Sequence, residues 1–103
     1  MLCAHTVRRL KPGTFEEFKA RFGPPDEAAQ QGWVRFHMLR NVNDENEVVT
    51  FGFFDGTLEE LNASQHQHGY DDRIEDVSPL VEEVVTNGIY EIEAAKTMEP
   101  AGL

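Results

Sequence analysis

Residues 2–10, LCAHTVRRL, alternate in a rough period of two, which predicts a first strand. KPGT then turns the chain, and Thr14 with Glu17 has capping-box spacing ahead of FEEFKARF. Phe15, Phe18 and Phe22 share one face of that helix. Gly23-Pro24-Pro25 closes it, because proline has no amide to donate and restricts the residue before it. A polar stretch rich in Ala and Gln leads to GWVRFHMLRN, a second strand. Strict alternation there points Val34, Phe36 and Met38 one way and Trp33, Arg35, His37 and Leu39 the other. NVNDENE has the composition of a hairpin loop. In the third strand, VVTFGFFD, Val49, Phe51 and Phe53 oppose Val48 and Phe54, so both faces are apolar and both need cover.

Thr57 and Glu60 repeat the capping-box spacing before LEELNASQHQH, a second helix. From Asp71 onward, Ile74, Val77, Val81 and Val84 or Val85 recur every three to four residues, predicting a further helical stretch. Pro79 predicts a kink or restart in it, with Ser78 as N-cap and Pro79 at the first helical position. Asn87-Gly88 reads as the stop signal, and GIYEIEAA as a short fourth strand. The order β-α-β-β-α-β over one domain, residues 1–103, is the ferredoxin-like α+β plan, an antiparallel four-stranded sheet with helices on one face. The second apolar face of the third strand calls for another copy of the chain, a homodimer joined sheet to sheet. The tail, 94–103, is expected to fray or to cross to that partner.

Charge narrows the partners. Nineteen acidic against nine basic residues give a formal charge of −10, which repels phosphate, so nucleic acid and anionic membrane surfaces are not expected partners. The lone Cys3 makes no internal disulfide, the N-terminus lacks the pattern of a secretory signal, and no run of about 18 apolar residues spans a bilayer. The expected location is the cytoplasm.

The histidines carry the candidate chemistry. His66 and His68, in ASQHQHGYDD, project about 200° apart on a helix and do not readily share a metal, so no metal site is expected. Either both sit exposed at a helix C-terminus, or one of them, His66 foremost, turns inward as a general base. His37, mid-strand beside Arg35, is either an interface histidine or a pocket base, and the same choice applies to His5 on the first strand. Trp33 is a packing residue or a substrate platform. Phe54 is core or pocket wall, and Arg35 clamps an anion or pairs with surface carboxylates. No phosphate loop, dinucleotide fingerprint, nucleophile elbow or zinc motif occurs.

HTVRRLKPGTFEEFKARF, VVTFGFFDGTLEEL and DDRIEDVSPLVEEVVTNGIYEIE together resemble the antibiotic biosynthesis monooxygenase family of dimeric α+β barrels, over residues 2–93. The resemblance implies a pocket between sheet and helices. It also implies cofactor-free oxygenation of a small apolar or aromatic molecule, with His37 or His66 as base. Trp33, Phe54, Tyr70, His68, Arg35 and His5 would surround the substrate. A ligand-binding or assembly barrel without catalysis, or an isomerase on the same scaffold, is the alternative. The haem-degrading branch of the family would need Asn and Trp where this chain has Thr6 and Phe54, which argues against that activity.

Overall fold

The computed structural model describes residues 1–23, 26–67 and 69–98, with backbone alone at 26, 27, 30 and 67. Its elements are β1 (Leu2–Leu10), α1 (Phe15–Arg21), a 3-10 segment (Asp26–Gln31), β2 (Trp33–Asn41) and β3 (Asp44–Phe54). They continue as α2 (Leu58–Gln67), α3 (Tyr70–Val77), a 3-10 turn (Ser78–Leu80) and β4 (Val81–Glu91). The sheet is antiparallel in the order β2-β3-β1-β4, the ferredoxin-like arrangement expected from the sequence.

Only one of the two capping boxes forms. At α2, the Thr57 amide donates to Glu60 Oε1 (3.0 Å) and the Glu60 amide donates to Thr57 Oγ1 (3.1 Å). At α1, Thr14 Oγ1 instead donates to the Lys11 carbonyl (2.7 Å) and lies 3.3 Å from the Leu80 carbonyl, tying the first turn to the end of the α3 region. Pro24-Pro25, expected to close α1, lies outside the described residues, and Phe22 already leaves the helix with extended backbone.

Three sequence expectations need correction. The helical pattern from Asp71 does not run to Asn87: α3 ends at Val77, and β4 begins at Val81, well before GIYEIEAA. Pro79 breaks the helix, and Val81 and Val84 pair with Leu10 and Arg8 of β1 while Val85 is the extra residue of a bulge, all in the extended backbone that β-branched residues favour. β3 also starts inside the predicted loop, at Asp44, leaving Val42 and Asn43 as the turn. Finally, a bulge in β2 pairs Trp33 with Phe54 and Arg35 with Phe53, so Val34 is the extra residue. Trp33 therefore shares the pleat of Phe36, not that of His37.

Alternation divides the sheet. Thr6, Arg8 and Leu10 of β1, with Val48, Thr50, Gly52 and Phe54 of β3, face the helices and are buried. The core gathers Leu10, Phe18, Phe22, Val48, Val77 and Leu80. The opposite face carries His5, His37, Phe51, Phe53 and Tyr90. His37 stacks on Phe51 at 5.0 Å between ring centroids, and His5 lies between Phe51 (6.5 Å) and Tyr90 (5.9 Å).

Candidate functional site

A cavity of about 270 Å³ lies between the sheet and its helical layer. Ala4, Thr6, Thr50 and Gly52 form its strand side, Phe22, Phe36, Trp33 and Tyr70 its aromatic walls, and Gln31, Ser64 and Arg73 its polar rim. Gly52 is required there. A Cβ on it would stand 2.9 Å from Cζ3 and 3.1 Å from Cε3 of Trp33, so the indole lies directly on the bare backbone of β3. The indole is held from both sides. Nε1 donates to Ser64 Oγ (2.8 Å), Ser64 donates on to Gln31 Oε1 (2.9 Å), and Phe54 meets the ring edge-on at 5.0 Å.

Arg8 sits behind the strand side with only 4% of its surface exposed. Its Nη1 donates to Thr50 Oγ1 at 2.9 Å, and the guanidinium lies 4.6 Å above the Phe22 ring. Burial lowers its pKa, while the neighbouring Tyr70, through charge and a side-chain hydrogen bond, opposes that shift. An arginine remains a cation throughout. None of the ion pairs among the described residues involves Arg8.

Of the residues singled out from sequence, the structure brings Trp33 and Tyr70 together at the cavity. Arg35 also borders it, but pairs opposite Phe53; alternation turns its side chain to the open face and offers the cavity its main chain. Phe54 is buried (1% exposed) behind Trp33, packed where added Cβ atoms on Gly32 and Gly56 would come within 2.9 and 2.5 Å of its ring. His37 and His5 lie on the open face, and the buried Nδ1 of His5 has no hydrogen-bond partner among the described residues. His66 ends α2 with a side chain 74% exposed, 3.4 Å from Asp71. His68 lies outside the described residues. The described lining contains no histidine, cysteine or carboxylate, and no metal-ligating cluster of three occurs among the described residues.

Sequence reasoning missed Arg8, Thr50, Ser64, Gln31 and Gly52. One signal was available. Arg8 shares strand parity with Thr6 and Leu10, so a charge falls on the core-facing pleat of β1, where an isolated cation is costly unless it has work to do. Ser64 and Gln31 gave no such signal, because their role depends on where the indole lies.

The fold and the helix-side cavity define a ferredoxin-like α+β protein with a small-molecule-sized pocket. No protein-family model and no curated protein sequence matches the chain. Solved structures do. The chain is similar to SnoaB, a cofactor-independent oxygenase from Streptomyces nogalater, at TM-score 0.66 and 19% identity over 96% of this chain and 97% of that one. A protein of Nitrosomonas europaea, provisionally named an antibiotic biosynthesis monooxygenase, gives TM-score 0.72 and 19% identity over 91% and 100%. A Deinococcus radiodurans protein of the same provisional name gives 0.73 and 13% over 97% and 100%. At these identities the likeness establishes the fold, which is the one the sequence resemblance implied. No helix among the described residues is long and apolar enough to cross a membrane.

Proposed function

We propose that the protein binds a small aromatic molecule in the helix-side cavity and oxygenates it without a cofactor. The observation that carries this reading is the cavity itself, walled by Trp33, Phe22, Phe36 and Tyr70 and rimmed by hydroxyls and amides. Apolar walls with a few convergent polar groups are the usual make-up of a ligand site. Since about 150 Å³ already accommodates benzene, its 270 Å³ suits one or two fused rings. The cofactor-independent chemistry of SnoaB, on the same fold, supports the reaction type. In such a reaction a ring carbanion reacts with dioxygen; one oxygen atom enters the carbon as a carbonyl and the other leaves as water. The described lining holds no histidine or carboxylate, so a substrate that is itself acidic suits it best. That same feature favours the second reading, a binding module without turnover.

Trp33 is the sole tryptophan, so its fluorescence reports the cavity. Hydroxylated one- and two-ring arenes titrated against the protein should quench or shift that emission, and oxygen uptake should follow for at least one of them. Binding without oxygen uptake would select the binding module, and no binding at all would sink both readings. We propose further that the open face, with its aromatic and histidine rings, pairs with a second copy of the chain. Sedimentation equilibrium should then give twice the monomer mass of 11.7 kDa, and a monomer at high concentration would refute the pairing.

A further inference from the structure

The seating of Trp33 determines which end of an amide is left for the cavity. An indole N–H can only donate, so Ser64 Oγ is the acceptor of the 2.8 Å bond from Trp33 Nε1. The Ser64 hydroxyl passes its own hydrogen on to Gln31 Oε1 at 2.9 Å. With the amide turned round, Ser64 would accept from both neighbours. Its hydrogen, on a residue only 6% exposed, would then have no acceptor among the described residues, and a buried hydroxyl without a partner is costly. The oxygen of Gln31 is therefore engaged, while its Nε2 keeps two hydrogens, and Gln31 borders the cavity. The root of this side chain is held as firmly as its tip. Gly32, the next residue, has φ +113°, and a Cβ there would come within 2.9 Å of the Phe54 ring and 3.0 Å of the Asp55 carbonyl oxygen. The Asp55 amide donates to the Gly32 carbonyl at 2.8 Å. The chain after Gln31 is thus pinned to the end of β3, and the amide is pinned to α2.

Resting on the cavity reading above, we propose that Gln31 is the residue by which the cavity tells ligands apart: its Nε2–H donates to an acceptor atom on the guest ring, a carbonyl oxygen or a heteroaromatic nitrogen. Ser64 acts through the amide, whose orientation it fixes, and is a positioning residue. Trp33 supplies the donor that sets the polarity of the whole chain of bonds. An amide free to turn serves donors and acceptors alike, since it has one end for each. One whose oxygen is engaged serves acceptors alone, so a guest that only donates loses the contact and leaves a polar group unpaired. The orientation is set before the guest arrives, and binding does not have to order it.

Isothermal titration of the full chain with quinoline, indole and indane compares an acceptor, a donor and a ring system with neither. Wild type should hold quinoline tighter than indole. Gln31→Leu should weaken quinoline by roughly threefold to tenfold, the worth of one neutral hydrogen bond, and leave indane unchanged. Gln31→Glu keeps an acceptor for Ser64 but turns an oxygen, not an N–H, to the guest; quinoline should weaken and indole should gain. Ser64→Ala leaves Gln31 in place and lets its amide turn, so quinoline's lead over indole should shrink although the donor itself is still present. A Ser64 with a purely structural role would instead change all three affinities by the same factor, and that result would overturn its positioning role. A wild type that holds indole tighter than quinoline, or a quinoline affinity that Gln31→Leu does not change, would overturn the proposal and leave the cavity reading standing. Failure of all three probes to bind wild type would overturn both together.

Discussion

Replacing Gly52 with alanine would place a Cβ 2.9 and 3.1 Å from two carbons of the Trp33 benzo ring and 3.6 Å from the Arg35 carbonyl oxygen. Carbon atoms rest at about 3.5–4.0 Å, so the ring would have to retreat by roughly 0.5–1 Å. It has little freedom to do so. Its Nε1–H is bound to Ser64, and behind it stands Phe54, itself confined beside Gly32 and Gly56. Overpacking of this kind costs about 1–3 kcal/mol, and relief of glycine's backbone entropy in a strand returns about 0.5–1 kcal/mol. The net expectation is a loss of about 0–2.5 kcal/mol centred at about 1 kcal/mol, the centre corresponding to a Tm lower by about 4–8 °C for a domain of this size. Calorimetry on wild type, Gly52→Ala, Trp33→Phe and the double variant separates the clash from everything else. The phenyl ring lacks the benzo edge that meets the new Cβ, so the double variant should be more stable than the sum of the single losses by about 1 kcal/mol. Additive losses would refute the account of how the indole is seated.

Ser64→Ala removes the acceptor of the Trp33 indole N–H, and urea unfolding should show a loss of about 1–3 kcal/mol together with a changed Trp33 emission spectrum. Phe18→Ala empties the centre of the core, where Phe18 is 0% exposed, and should cost about 3–5 kcal/mol by the same assay. The Thr57 amide and hydroxyl hold the Glu60 carboxyl below its ordinary value of 4.5. A depressed folded pKa contributes stability that is present above the unfolded value and is lost as pH falls through the folded one. The urea midpoint of wild type should therefore exceed that of Glu60→Gln at neutral pH, and the gap should close on acidification below 4.5. His66→Ala breaks only an exposed 3.4 Å pair with Asp71, and its stability should stay within about 0.5 kcal/mol of wild type.

The alternation of LCAHTVRRL, the Phe spacing of α1 and the two-faced apolar β3 made the ferredoxin-like plan legible, because period and punctuation are local signals. The misreadings share a cause. Val81, Val84 and Val85 have helical spacing and strand chemistry at once, and only pairing with β1, far away in sequence, decides between them. Strict alternation puts Trp33 on the wrong face because one extra residue at Val34 inverts everything before it, and nothing in GWVRFHMLRN marks the bulge. The candidate site suffered more than the fold. Residue type drew notice to His37 and His66, whereas the cavity was built from threonines, a serine, a glutamine and a buried arginine, whose meaning depends on the third dimension.

The seating of Phe54 has a mechanical consequence. With backbone of Gly32 and Gly56 close against its ring and the sheet beneath it, Phe54 is a fixed stop behind Trp33. A guest too large for the cavity can press the indole only as far as that stop, and the four-stranded floor does not yield either. The other side of the cavity is the helical layer, where Ser64 of α2 and Tyr70 and Arg73 of α3 meet it. If the cavity takes a guest, size tolerance would fall to its helical side, and substitutions that loosen α2 or α3 should widen the range of guests while ones that stiffen them should narrow it, without altering how the ring sits against Trp33.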